Sequence, residues 1–286
     1  MLTHHLRLII AVVPLSIVLL GGNCPKPGLA GQLNLYDLQS RQPLAGMQAV
    51  QAMQGARLVI VGEHHTDPAH HTAQLQVIRT LHAQSLPLSI GLEMFRKDSQ
   101  AALDQWVAGA LQEAAFEKIY LDNWNFPWSL YRDIFIYARD QKIPMVGLNV
   151  SRDITRQVAQ QGFASLSDQQ REELEGVTCD VTDAYRDFIR RAFGAHGHGN
   201  MDFIHFCEAQ LVWDTAMAAN SLNHLDQHPD RVMVLLAGSG HARKMGIPYQ
   251  VKIRSPIPLT VLLPQTPDIF ESGTTTCSDA DFIIMP

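Results

Sequence analysis

The chain has 286 residues, 46% of them apolar and 17% charged, a balance that excludes both a disordered chain and a many-span membrane protein. Without the first 30 residues, which carry Arg7 and Lys26 and no acid, 20 basic side chains face 28 acidic ones, so nucleic-acid binding through a general basic surface is excluded too. Four cysteines are too few for a disulfide scaffold, whereas 13 histidines exceed what packing requires, and histidine placement therefore carries the information.

Residues 8–20 read LIIAVVPLSIVLL and follow Arg7. Thirteen residues are too few to span a bilayer comfortably and form the apolar centre of a secretory signal. Two ends of that signal are open. Leu20-Gly21-Gly22-Asn23-Cys24 resembles a bacterial lipobox, with Asn23 departing from the small residue expected before the cysteine, while Gly28-Leu29-Ala30 fits ordinary cleavage. The expectation is an exported protein, periplasmic or held at the outer membrane as a lipoprotein through Cys24, with residues 1–30 as the signal peptide. Export permits disulfides. Cys179 and Cys277, both in polar loop-like surroundings, are the expected pair, and Cys207, in an apolar helical pattern, is expected as a buried thiol.

From there on, short apolar runs ending in glycine alternate with longer amphipathic stretches, the pattern of strands joined by helices in a parallel sheet. The strands are predicted at 57–61, 87–90, 143–148 and 231–237, with 258–263 as a later edge strand. Helices are predicted at 68–82, with Asp67 as N-cap and Pro68 at the first helical position, and at 100–111, 128–141, 182–193 and 202–225. The fold class is α/β: a mainly parallel sheet flanked by helices, forming one domain over 31–286. Insertions at about 97–141 and 150–230 show no strand pattern and are expected as a small helical subdomain at the carboxyl ends of the strands.

In open parallel sheets ligands bind beyond those carboxyl ends, so the residue that follows each run matters most. The first run ends Gly62-Glu63-His64-His65, the second Gly91-Leu92-Glu93, the third Gly147-Leu148-Asn149 and the fourth Gly238-Ser239-Gly240-His241. If these strands are neighbours, Glu63, His65, Glu93, Asn149 and His241 share one rim. Two carboxylates and two imidazoles there suit a divalent metal, or an acid and base around a water. A single glutamate after a strand is ordinarily a helix cap or a solvated loop residue; four successive polar strand ends argue jointly for a site, because burying them needs compensation. Adjacent residues leaving a strand face opposite ways, and His65 rather than His64 is taken to enter the cluster. His71, on the stripe His71, Leu75, Ile78, His82, is either a core histidine or an orienter of the site. His70, in the first helical turn, is expected to be exposed.

The two Gly-x-x-His segments, Gly62 to His65 and Gly238 to His241, with Glu93 between them, resemble the superfamily of ChaN-like haem-binding lipoproteins, Tiki metalloproteases and erythromycin esterases. The stretch 128–149 and Glu208-Ala209-Gln210 with Trp213-Asp214 and Met217 are similar to the ChaN-like branch. This resemblance implies an α/β fold with a helical subdomain, and haem bound at a homodimer interface with tyrosine as iron ligand, in bacterial haem and iron acquisition with an outer-membrane receptor as partner. For the Tiki branch it implies metal-dependent hydrolysis by His65, Glu93 and His241.

Haem needs an apolar slot, an axial ligand and cations for its propionates. Seven of the 21 aromatic residues fall within 120–137, enough to wall a slot or to form the core of a small helical unit. Tyr131 and Tyr185 are preferred among the tyrosines, with Tyr120 and Tyr137. His196 and His198, in the glycine-rich stretch Gly194-Ala195-His196-Gly197-His198-Gly199, can approach a flat ligand. Arg243 with Lys244, or Arg190 with Arg191, can meet propionates. The leading expectation is thus an exported haem-binding protein; the alternative is a metal-dependent hydrolase, a peptidase or esterase, with Glu63, His65, Glu93 and His241 as catalytic or metal-binding residues.

Overall fold

The computed structural model describes residues 33–174, 177–192 and 202–286; Cys24, His196 and His198 lie outside them. In chain order the elements are β1 (Asn34–Asp37), β2 (Gln42–Ala45), α1 (Met47–Ala52), β3 (Leu58–Glu63), α2 (Pro68–His82), β4 (Leu88–Arg96), α3 (Gln100–Ala108), α4 (Glu113–Asn123), α5 (Trp128–Asp140), β5 (Met145–Asn149), α6 (Arg152–Gln161), α7 (Asp168–Glu173), α8 (Asp183–Ala192), α9 (Phe203–Gln227), β6 (Val232–Gly238), α10 (Ser239–Ala242), α11 (Ile247–Lys252), β7 (Leu259–Pro264) and β8 (Phe282–Met285). The sheet order is β2-β1-β8-β7-β3-β6-β4-β5. Pairing is parallel from β8 through β5 and antiparallel only where β1 meets β2 and β8.

Strand β3 is buried along its whole length, as expected for a parallel strand covered on both faces. Val59 and Val61 face the core shared with α2 and α5, and Leu58 and Ile60 face the core shared with α9 and α11. The aromatic stretch 120–137 belongs to the first of these cores: Tyr120, Trp128, Tyr131 and Phe135 pack with Phe95, Trp106 and Phe116. Two smaller clusters, one of α6 with α9 and one of α8 with α9, form a separate helical layer. Among the described residues no helix is long and apolar enough to cross a membrane.

Helix α2 starts where its sequence requires, with Asp67 accepting the Ala69 N–H at 2.9 Å and Pro68 in the first turn. The strand at 258–263 is not an edge. As β7 it lies between β3 and β8, because the hairpin β1–β2 and the last strand, β8, extend the sheet on that side. Those short strands, one with Pro43 and mostly exposed, lack the long apolar runs of the centre. Cys179 and Cys277 are both free thiols, which corrects the expected pair: Cys179 packs against the α6–α9 and α8–α9 clusters, whereas Cys277 is exposed. Cys207 is a buried free thiol.

Candidate functional site

Strands β3, β6, β4 and β5 are consecutive in the sheet, so their carboxyl ends open on one rim. Strand β4 overruns that rim by several residues, and its register against β5 shifts between Leu92 and Arg96. Met94 and Phe95, adjacent in sequence, both pack into the α2–α5 core, which a regular pleat forbids. The irregularity frees the Glu93 carbonyl from the ladder, and Asn149 Nδ2 donates to it at 2.8 Å. The Glu93 carboxylate reaches back across the sheet, and its Oε2 accepts the Gly238 N–H at 2.6 Å.

Glu63, 2% exposed, is a hub. Its Oε1 accepts the Tyr131 hydroxyl at 2.6 Å and lies 2.7 Å from His65 Nδ1, while His71 Nδ1 is 2.7 Å from Oε2. Burial alone would raise its pKa; the hydrogen bonds and positive charge of His65 and His71 outweigh burial and hold it at about 2. Burial would lower His65 in turn, but its bond to Glu63 and the charge of Glu93 raise it above the ordinary imidazole range. The same competition, again won by Glu63, raises His71. The His65 ring lies against Trp124 and Phe126, with centroids 5.0 and 4.8 Å away. His64 turns outward and is exposed, its N–H donating to His70 Nδ1 at 2.8 Å. His70 is therefore buried at 4% exposure, contrary to the expected surface position, because it anchors the turn that carries His65.

The second half of the site is built from β6, α10 and α9. His241 Nδ1 stands 2.7 Å from Asp214 Oδ1, and Asp214 Oδ2 accepts the Tyr185 hydroxyl at 2.6 Å. His241 Nε2 lies 3.9 Å from Glu93 Oε1. Burial would lower the His241 pKa; the charges of Asp214 and Glu93 raise it to about 9, so that the ring is an imidazolium at neutral pH. Gly238 lets the halves meet: a Cβ there would lie 2.8 Å from His65 Cε1. Each imidazole thus has Nδ1 held by a buried carboxylate, an arrangement that fixes a histidine's orientation.

The structure brings Glu63, His65, Glu93, Asn149 and His241 together. Glu63 sits behind the imidazoles, with both oxygens occupied, and is not placed to ligate an ion. Among the described residues, no three His, Cys, Asp or Glu side chains stand so as to hold a metal ion. Tyr131 and Tyr185, expected as haem ligands, are 0% and 3% exposed and spend their hydroxyls on Glu63 and Asp214, so neither is offered to a haem iron. Tyr120 is likewise fully buried, and Tyr137 bonds His82 at 3.0 Å. Arg243 lies far along the chain from these tyrosines, ion-paired with Asp279 and within cation–π reach of Phe188 and Phe270. The roles of Asp214 and Tyr185 went unread in the sequence. One signal was available: Asp214 is the lone charge in the run Leu211 to Ala218, and an apolar stretch of helix packed into a core has no place for an unpartnered carboxylate.

The model of the family described as haem-binding uptake, Tiki superfamily, ChaN matches residues 49–251. Among solved structures, that of cofacial haem binding to ChaN of Campylobacter jejuni is similar at a TM-score of 0.69 and 19% identity, covering 88% of this chain and 96% of that one. A mutant erythromycin esterase in its open conformation aligns at a TM-score of 0.46 and 15% identity, over 82% of this chain and 77% of its own. The type III effector HopBA1 aligns at a TM-score of 0.49 and 14% identity, over 83% and 91%. A search of curated proteins finds no significant match.

Proposed function

Because the chain belongs to the haem-binding uptake, Tiki superfamily, ChaN family, we propose that it binds haem and acts in bacterial haem and iron acquisition as an exported protein. The observation that carries this reading is the span of the family match, which takes in both strand-end histidine segments and the helical layer between them. Among the described residues Arg243 is paired with Asp279 and its Nε is buried without a hydrogen-bond partner, so the fit to a dianionic, flat ligand rests on the family match rather than on a free cation at this position. A bound haem would supply iron and its redox chemistry; the protein would supply cations for the propionates and an apolar wall. The proposal extends to a homodimer around haem, for which the cofacial haem of the C. jejuni protein is the support, to anchoring through Cys24 or cleavage after Ala30, and to an outer-membrane receptor as the source of haem. Titration of the purified protein with hemin tests the central claim. The expected result is a shifted Soret band with saturable stoichiometry; a spectrum identical to free hemin overturns it. Light scattering with and without hemin tests the dimer.

A second reading is favoured by a different observation, the pair of carboxylate-backed imidazoles facing Glu93. In it the rim hydrolyses a peptide or ester: Glu93 takes a proton from an attacking water and the His241 imidazolium gives one to the leaving group. Elemental analysis of protein purified without chelator tests the divalent-metal version of this reading. Glu93→Gln should abolish hydrolysis of an ester and peptide panel while leaving hemin uptake intact; loss of hemin binding in that variant would instead join the two functions in one site.

A further inference from the structure

We infer that Cys179 and Cys207 are a latent disulfide pair, a covalent cross-link site that ties the segment before α8 to α9. Cys207 is wholly buried in the cluster that joins α8 to α9, and Cys179 packs against the same cluster, as do Val181 and Phe206. The Cys179 Sγ lies 3.6 Å from the carbonyl oxygen of Glu208, the residue that follows Cys207 in α9. The Cys179 thiol therefore rests on the turn of α9 that carries Cys207. The two are also close enough for charge to couple them, since Cys207 is among the groups that raise the Cys179 pKa. Cys277, the partner expected for Cys179, is exposed and belongs to neither of the clusters that Cys179 touches.

Both thiols are free in the structure. Forming the bond takes one proton and one electron from each of them, and a small-molecule disulfide such as oxidised glutathione accepts both pairs and leaves as two thiols. The export proposed above would bring the chain to an oxidant of this class; the pairing itself does not rest on the haem reading. Burial pushes the Cys179 thiol up to about 12 and the Cys207 thiol to about 11, so the folded chain offers little thiolate at neutral pH. The bond accordingly forms as the chain folds, before Cys207 is covered. Residues 177–182 form neither helix nor strand, so closing to bonding distance moves that segment rather than α9. The cross-link clamps the surroundings of Tyr185, a member of the same cluster, whose hydroxyl holds Asp214 behind His241. The two cysteines are 28 positions apart, a loop whose closure removes enough unfolded-chain entropy to raise the folding equilibrium about 100-fold.

Refolding the full chain in a mixture of reduced and oxidised glutathione, followed by alkylation of the remaining thiols and peptide mapping, tests the pairing. The expected map holds a cross-linked peptide pair carrying Cys179 and Cys207, with Cys277 alkylated. A map without that pair, or with either cysteine joined instead to Cys277 or Cys24, overturns the inference. Urea unfolding of the oxidised chain supplies a second readout. Reductant should lower the folding equilibrium of the unaltered chain about 100-fold and leave that of Cys179→Ser unchanged. Cys179 is only half-buried, so this variant keeps the core intact, whereas Cys207→Ala opens a cavity. An effect of reductant that is equal in the unaltered chain and in Cys179→Ser overturns the inference as well.

Discussion

Asp214, wholly enclosed in the middle of α9, holds His241 Nδ1 at 2.7 Å and takes the Tyr185 hydroxyl on its other oxygen at 2.6 Å. The chain of contacts ties the long helix of the helical layer to the end of β6. It also makes the protonation of His241 a property of α9. Replacing Asp214 by Asn leaves burial acting on His241 without its principal counter-charge, so the imidazole pKa should fall from about 9 to the ordinary range or below. Removing one partner of a buried pair costs about 3 kcal/mol or more. NMR titration of the His241 ring and denaturant unfolding check the two outcomes; an unmoved pKa would mean that Asp214 is not its cause.

Stability should fall at both ends of the pH scale, for opposite reasons. The Glu63 pKa is depressed from 4.5 to about 2, so its contribution is complete above 4.5 and is lost as the pH falls from there toward 2. The His241 pKa is raised from 6.5 to about 9, so its contribution is complete below 6.5 and is lost as the pH rises through 9. The acid limb should be on the order of 3 kcal/mol for Glu63. Urea unfolding across the pH range checks this: Glu63→Gln should flatten the acid limb and leave the alkaline limb in place.

His70 should matter more than a surface histidine would. Its Nδ1 accepts the His64 N–H at 2.8 Å, and its removal orphans that amide next to His65. His70→Ala should cost about 1–3 kcal/mol and speed amide exchange at His64, whereas His70→Asn, which keeps an acceptor, should restore part of the protection. Equal exchange in all three proteins would show that the bond does not hold the turn.

Gly238→Ala should displace His65. The backbone at Gly238 has φ −55°, open to any residue, so the penalty is purely steric: the new methyl would lie 2.8 Å from His65 Cε1 and 3.7 Å from Glu93 Oε2. Overpacking of this kind costs about 1–3 kcal/mol. A changed His65 ring resonance with Glu63 and Tyr131 still in contact is the expected signature. An unchanged His65 spectrum would mean that the two halves of the rim are not in close contact.

Much of the site was legible because a parallel sheet announces its own working edge. An apolar run reaches a glycine, a polar residue follows within two positions of it, and the chemistry lies at that step in four strands. Asp67 followed by Pro68 set the start of α2 by local rules alone, and the need for a buried carboxylate to be partnered made Glu63 and Glu93 stand out. The tyrosines were less legible: the sequence shows that residues 120–137 are aromatic and that Tyr185 lies in a predicted helix, but not that Tyr131 and Tyr185 turn inward to hold carboxylates.

The sequence by itself determined the sheet's central strands and which residues end them, since both depend on apolar periodicity and on the cost of burying charge. Only the tertiary structure decided strand order, the interior position of β7, and which side chains stand behind the imidazoles. Asp214 comes to His241 only when α9 packs on the sheet, and Tyr131 comes to Glu63 only when α5 closes the opposite face; such contacts join residues 27 and 68 positions apart, beyond the reach of any local pattern.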